Sequence, residues 1–240
     1  MTKTKYIKIY EDLKKKIEQN VFPYQELLPS ENTLLKEYGC SRNTVRRAIA
    51  ELASKGYVQT KHGQGVRVIY QELKQKEYMF GDVETFKEFS MRHNNKQRTE
   101  VFRFQEWTVD ESLHKITSFP VGTDIYYLQR VRYLDDKPLI IDHNYFRKDV
   151  VQDLTVEITE DSVYEYMEKE LNESIVTTKR KMTVEKMDDL DERYLQLNGY
   201  NCVAVVTSYT YNADGVMFEY TQSRHKPDYF VFYDQAQRRK

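Results

Sequence analysis

The chain is poor in several of the features that would fix a function quickly. Two cysteines, Cys40 and Cys202, are too few for a disulfide framework or a zinc cluster, so no metal and no cofactor is expected. No run of 18 apolar residues exists, which excludes a membrane-spanning helix. The lysine-rich N-terminus lacks an apolar core segment, so no secretory signal is expected and the cytoplasm is the expected location. No P-loop and no nucleophile elbow are visible, and repeats and low-complexity tracts are missing too. Charge of one sign is also lacking: 37 Lys and Arg face 38 Asp and Glu over 240 residues.

What is present is a chain able to bury real cores, with 40% hydrophobic and 13% aromatic residues. Its length suits one large domain or two ordinary ones. The near-zero net charge hides a split. Met1 to Val68 carries 13 basic against 7 acidic side chains, and the remainder carries 24 against 31. A basic head on an acidic body is the pattern of a nucleic-acid module joined to something else.

The head reads as three helices and a hairpin. Tyr6, Ile9, Tyr10, Leu13 and Ile17 recur at helical spacing. Ser30 and Glu31 start a second helix as cap and dipole partner, and Gly39 ends it. Ser41 caps a third, with Val45, Ala48, Ile49 and Leu52 as its apolar stripe. Asn43, Arg46 and Arg47 project from its other side, and Arg42 borders the stripe. The start of such a helix can enter a major groove, where arginine pairs with guanine or phosphate. Tyr57–Thr60 and Val66–Ile69 follow as short strands around His62-Gly63-Gln64-Gly65. Two glycines at a hairpin tip allow close approach to a phosphate backbone. A solvated basic face on a small helical domain is the bland alternative.

"LPSENTL", "SRNTVRRAI" and "KHGQGVRV" resemble the signature of the GntR-type bacterial transcription regulators over residues 6 to 69. That resemblance implies a winged helix-turn-helix at 1–70 and double-stranded operator DNA as partner. It makes Arg42, Thr44 and Arg46 base and phosphate contacts, and it places His62 and Gly63 at a wing tip in the minor groove. Ser30, Asn32, Asn43 and Arg47 complete the candidate set. The family often has Arg where this chain has Asn32, so the contact there differs.

After a linker at 71–79, β-type segments dominate. Val101–Thr108, Ile125–Leu134, Leu139–Phe146, Cys202–Tyr211, Met217–Arg224 and Tyr229–Tyr233 read as strands. Asp135-Asp136-Lys137-Pro138 and Ala213-Asp214-Gly215 read as turns. Ser162–Leu171 and Asp188–Leu197 read as helices. The expected body at 80–240 is an antiparallel sheet with a few helices, so the whole chain is α+β. Arg130 and Arg132 are two apart on a strand and share a face, which suits a phosphate or carboxylate, or a surface ion-pair ladder. Ser162 at a helix start can hold an anion or merely cap. Register leaves Asp142 free to point either way. Glu219 follows an apolar run on a partly buried strand.

"LQRVRYLDDKPLIIDHNYF" and "FEYTQSRHKPDYFVF" resemble the effector-binding UTRA domain of the HutC subgroup of these regulators, a chorismate-lyase-like fold. By that resemblance Arg130, Arg132 and Ser162 hold the phosphate of a sugar-phosphate effector. The backbone of the "TFKE" loop, Thr85, Phe86 and Lys87, assists. Asp142 and Glu219 hold sugar hydroxyls, with Asp142 one methylene shorter than the usual Glu. Tyr164 and His225 line the pocket. The "TFKEF" loop and the closing segment look most like the trehalose operon repressors, which sense trehalose 6-phosphate. Glucosamine 6-phosphate marks the competing amino-sugar reading.

The expected protein is thus a homodimeric repressor and not an enzyme. A chorismate-lyase-like catalyst and a plain architectural DNA binder are the alternatives, since a fold does not fix a function.

Overall fold

A computed structural model describes residues 5–61, 63–71, 78–79, 85–92 and 94–233. They fall into two compact units, one on each side of 72–77.

The first unit begins with α1 (Lys5–Glu18), which buries Ile9, Leu13 and Ile17 at four-residue spacing. Ser30 caps α2 (Glu31–Tyr38), its Oγ accepting from the Thr33 N–H at 3.2 Å. Gly39 closes α2 at φ +52°, a left-handed conformation that glycine adopts without steric cost. Ser41 caps α3 (Arg42–Ser54) in the same way. The expected stripe of α3 is buried entire: Val45, Ala48, Ile49 and Leu52. It packs on α1, on Leu34 of α2, and on the hairpin residues Val58 and Val68. Strands β1 (Val58–Lys61) and β2 (Gly65–Val68) pair antiparallel, with Val58 opposite Val68. The segment before α2 pairs with this hairpin. Leu28 N–H donates to the Val66 carbonyl at 2.8 Å, and Val68 N–H donates to the Glu26 carbonyl at 2.9 Å. The hairpin is thereby tied to the start of α2.

The second unit is built on a six-stranded antiparallel sheet. Its strands are β4 (Gln97–Thr108), β5 (Asp124–Leu134), β6 (Lys137–Arg147), β7 (Ile175–Lys186), β8 (Cys202–Asn212) and β9 (Met217–His225). Their order is β4-β5-β6-β9-β8-β7. One short parallel pair, β3 (Tyr78–Met79) with β10 (Phe232–Tyr233), stands apart from it. The β5–β6 turn is tighter than the sequence indicates. Asp135 and Asp136 take φ +48° and +61°, and the strand resumes at Lys137, with Pro138 inside it. Two successive left-handed residues match the right-handed twist of the paired strands.

Each face of the sheet carries its own core. On one, Leu195 and Leu197 at and beyond the end of α8 (Asp189–Leu195) cover Val131, Ile141, Val203 and Val205. On the other, α7 (Val163–Lys169) puts Val163 and Met167 against Tyr126, Leu128 and Phe146. There too α4 (Phe86–Arg92) packs Phe86 and Phe89 on Leu134, Leu139 and Ile140.

Several elements depart from the sequence reading. The "TFKE" stretch is a helix from Phe86 onward, with Thr85 capping: the Glu88 N–H donates to Thr85 Oγ1 at 3.0 Å. The 12-residue strand β7 and the short helices α5 (Glu111–Thr117) and α6 (Val156–Glu160) were not expected. Tyr229–Tyr233 is not one strand. A 3-10 turn at Pro227–Tyr229 precedes the two-residue β10, because Pro227 sets the backbone for a turn.

Candidate functional site

In the first unit the polar face of α3 is solvent-exposed at Arg42, Asn43, Arg46 and Arg47, with Thr44 half-buried. None of the three arginines hangs loose. Arg46 Nε lies 3.1 and 3.2 Å from the two carboxylate oxygens of Glu31. Arg42 Nη2 donates to Asn32 Oδ1 at 3.4 Å. The Arg47 guanidinium stacks 3.9 Å above the Tyr6 ring. Asn32 therefore meets Arg42 directly, where the family pattern would place a second cation. Ser30 serves α2 as its cap. Gly63 sits at φ +73° with open space where a side chain would go. His62 lies outside the described residues. The exposed guanidiniums thus form one basic face, held by short contacts to α1 and α2.

In the second unit a cavity opens on the sheet face that carries α4 and α7. All ten residues expected to bind an effector line it. Register explains the convergence. Arg130 pairs with Asp142, and Asp142 with Ser223, so one rung crosses three strands. The adjacent rung places Arg132 opposite Ile140 and Ile140 opposite His225. Alternation keeps these side chains on one face, so Arg130 and Arg132 form an interior pair, and the surface ladder does not apply.

The charges are closely interlocked. Arg130 is 4% exposed and donates to Asn144 Oδ1 at 2.9 Å and to the Thr159 carbonyl at 2.7 Å. Burial pulls its pKa down to about 9, and Arg132 beside it adds to the fall, against the pull of Asp142. At neutral pH it remains a cation. Asp142 accepts from Arg132 and, at 2.6 Å, from Ser223. Burial pushes this carboxyl up, but Arg132, Arg130 and the Ser223 hydroxyl outweigh it and hold it below the usual range. Asp142 is therefore the counterion between two arginines, with both oxygens engaged. Each carboxylate oxygen keeps a second acceptor site, so this counterion role leaves room for the sugar hydroxyl expected there.

Tyr164 donates to Glu219 Oε2, while Thr221 donates to Glu219 Oε1 at 2.7 Å. Burial, and then Glu219, raise the Tyr164 phenol well above its normal value, so it stays protonated. Lys87 Nζ bridges Asp161 at 2.7 Å and Glu165 at 2.7 Å, and those bonds, Asp161 first, raise its pKa. Ser162 Oγ accepts from the Glu165 N–H at 3.3 Å, so this serine caps α7 as well as lining the cavity. Burial pulls His225 down to about 4, which makes it neutral at physiological pH. Thr178 and Arg180 of β7 and Ser208 of β8 also line the cavity; the sequence reading missed the first two because it did not foresee β7. Among the described residues, no group of His, Cys, Asp or Glu could hold a metal ion. No helix among them is long and apolar enough to cross a membrane.

A helix-turn-helix with a hairpin, in a chain that also carries a sheet domain with a charged interior cavity, is the architecture of a two-domain transcription regulator. Residues 5–68 match the family described as bacterial regulatory proteins, gntR family, and residues 93–231 match the UTRA domain. The chain belongs to the GntR family of transcriptional regulators, in the branch that carries a UTRA domain. Over 240 residues, all of both chains, it is 37% identical to the HTH-type transcriptional regulator TreR of Bacillus subtilis. The effector-binding domain of the B. subtilis trehalose repressor superposes with a TM-score of 0.53, covering 60% of this chain and 99% of that one. The possible transcriptional regulator YydK of B. subtilis shares the fold, with a TM-score of 0.81 over 98% of this chain and 100% of that one, at 21% identity.

Proposed function

We propose that this protein is a homodimeric repressor of a trehalose-utilisation operon, released from its operator by trehalose 6-phosphate. One observation carries the effector reading. Lys87, Arg130, Arg132 and the Ser162 hydroxyl converge on one cavity that also holds Glu219 and several hydroxyls. Planar guanidiniums and an ammonium suit a phosphate, and a carboxylate beside hydroxyls suits a sugar. The link to trehalose comes from the likeness to the B. subtilis trehalose repressor. On the output side, Arg42, Asn43, Thr44, Arg46 and Arg47 of α3 enter the major groove. Ser30 and Asn32 meet the backbone, and His62 and Gly63 approach the minor groove. A two-fold dimer matches an operator with two-fold symmetry.

The effector must bind the DNA-free arrangement more tightly than the DNA-bound one. A tenfold to hundredfold fall in operator affinity needs only about 1.4 to 2.7 kcal/mol of coupling. Fluorescence anisotropy of labelled operator DNA, titrated with protein with and without trehalose 6-phosphate, tests this. Release by glucosamine 6-phosphate alone would move the assignment to an amino-sugar regulator. Release by no sugar phosphate would overturn it.

A further inference from the structure

The cavity has a second end. A polar rung crosses the sheet beside the arginine rung: Asn144 pairs with Thr221, Thr221 with Ser208, and Ser208 with Arg180. Arg180 is half-buried, and it faces the same cavity as Arg132. Its strand, however, is the far edge of the sheet. From β5 to β7 there are four strand-to-strand steps, or about 19 Å at roughly 4.8 Å each. Glu219 and Tyr164 line the same cavity, and burial lowers the Arg180 pKa against the pull of Tyr164 and Glu219. Thr178, next to Arg180 on the same strand face, donates to Thr210 at 3.3 Å, which in turn meets Tyr164. The cavity floor therefore runs from a cationic end at Arg132 and Lys87, past a carboxylate, to a second guanidinium flanked by hydroxyls.

We infer that Arg180, with Ser208, forms a second subsite that reads the end of the effector remote from its phosphate and selects a phosphorylated disaccharide over a phosphorylated monosaccharide. The inference rests on the effector reading above. A hexose phosphate anchored among Arg132, Lys87 and Ser162 is too short to span the four strand-to-strand steps to β7. A second ring in line brings its hydroxyls to the Arg180 fork and the Ser208 hydroxyl. An arginine at this position offers several fixed donors to ring oxygens. A shorter ligand gains nothing from it.

The test compares full-length wild type, Arg180→Gln and Ser208→Ala by calorimetric titration with trehalose 6-phosphate and glucose 6-phosphate. Thermal melts verify that each variant is folded. The expected result is that Arg180→Gln lowers the preference for the disaccharide phosphate, expressed as the ratio of the two Kd values, by tenfold or more. Ser208→Ala should lower it by a smaller factor in the same direction. Arg132→Gln should weaken both ligands together and leave the ratio near its wild-type value. If wild type binds a sugar phosphate and both subsite variants keep the wild-type ratio, the second subsite is wrong while the effector reading stands. If wild type binds neither compound, the effector reading fails and the subsite fails with it.

Discussion

Replacing Asp142 by Asn removes one charge and almost no volume. Asp142 is 2% exposed, accepts from Ser223 at 2.6 Å and from Arg132, and lies 3.6 Å from Arg130 Nε. The variant leaves two guanidiniums side by side without their counterion, and Arg130 is almost fully buried. Removing one partner of a buried ion pair costs about 3–5 kcal/mol. The amide still accepts a hydrogen bond, which favours the lower end. For a chain of this size each kcal/mol lowers Tm by roughly 2–4 °C, so a fall of some 6 °C or more is expected. The pH dependence has a definite sign. The native carboxyl titrates below its unfolded value, so its stabilisation is present above that unfolded value and lost as pH falls through the folded one. The variant's deficit should therefore be full at pH 7 and shrink in strong acid. A second signature follows from the surplus positive charge. Inorganic phosphate at 100 times its Kd returns about 2.7 kcal/mol, and it should raise the Tm of the variant more than that of wild type. Scanning calorimetry at pH 7 in chloride and in phosphate reads both effects. A variant that melts with wild type in chloride, or gains no more from phosphate, would refute Asp142 as the charge balance of the cavity.

Other perturbations test separate parts of the molecule. Arg46→Ala should weaken operator binding by about 1–3 kcal/mol if the arginine pairs with a base. It should leave the melting temperature nearly unchanged, because the Glu31 pair it loses is exposed. His225 faces Asp142 of β6 and Arg132 of β5, and titrates near 4 in the fold against 6.5 when free. The unfolded chain takes up that proton first, so stability should fall by roughly 2 kcal/mol between pH 7 and 5. His225→Gln should lose that much of the slope in denaturant melts at the two pH values, and an unchanged slope would count against a neutral buried imidazole. Gly63→Ala should cost on the order of 1 kcal/mol from its φ of +73° alone, since nothing crowds the position. Chemical denaturation of the two proteins reads that difference.

The head was legible in the sequence because its signals are local. Ser30, Ser41 and Gly39 mark helix ends by their own hydrogen bonds and backbone freedom, and the Val45–Leu52 stripe shows its period within a few turns. The contacts that hold its arginines were not legible. Tyr6 under Arg47 and Glu31 beside Arg46 are 41 and 15 residues away, and no spacing rule joins them. In the body the same limit decides what was seen. Arg130 and Arg132 could be placed on one face, because alternation is a property of a single strand. Whether Asp142 joined them depended on pairing across the β5–β6 turn, which a shift of one residue would have reversed. The largest miss, β7, has a physical reason. IVTTKRKMTVEK lies at the sheet edge with both faces partly wet, so its sequence lacks the apolar alternation that marks a half-buried strand. Arg180 sits on that strand and reads, in sequence, as one charge among four basic or polar neighbours. Only the register that sets it opposite Ser208 turns it toward the cavity. A strand too polar to announce itself is suited to flooring a polar cavity, so its weak legibility and its place in the proposed second subsite have the same cause.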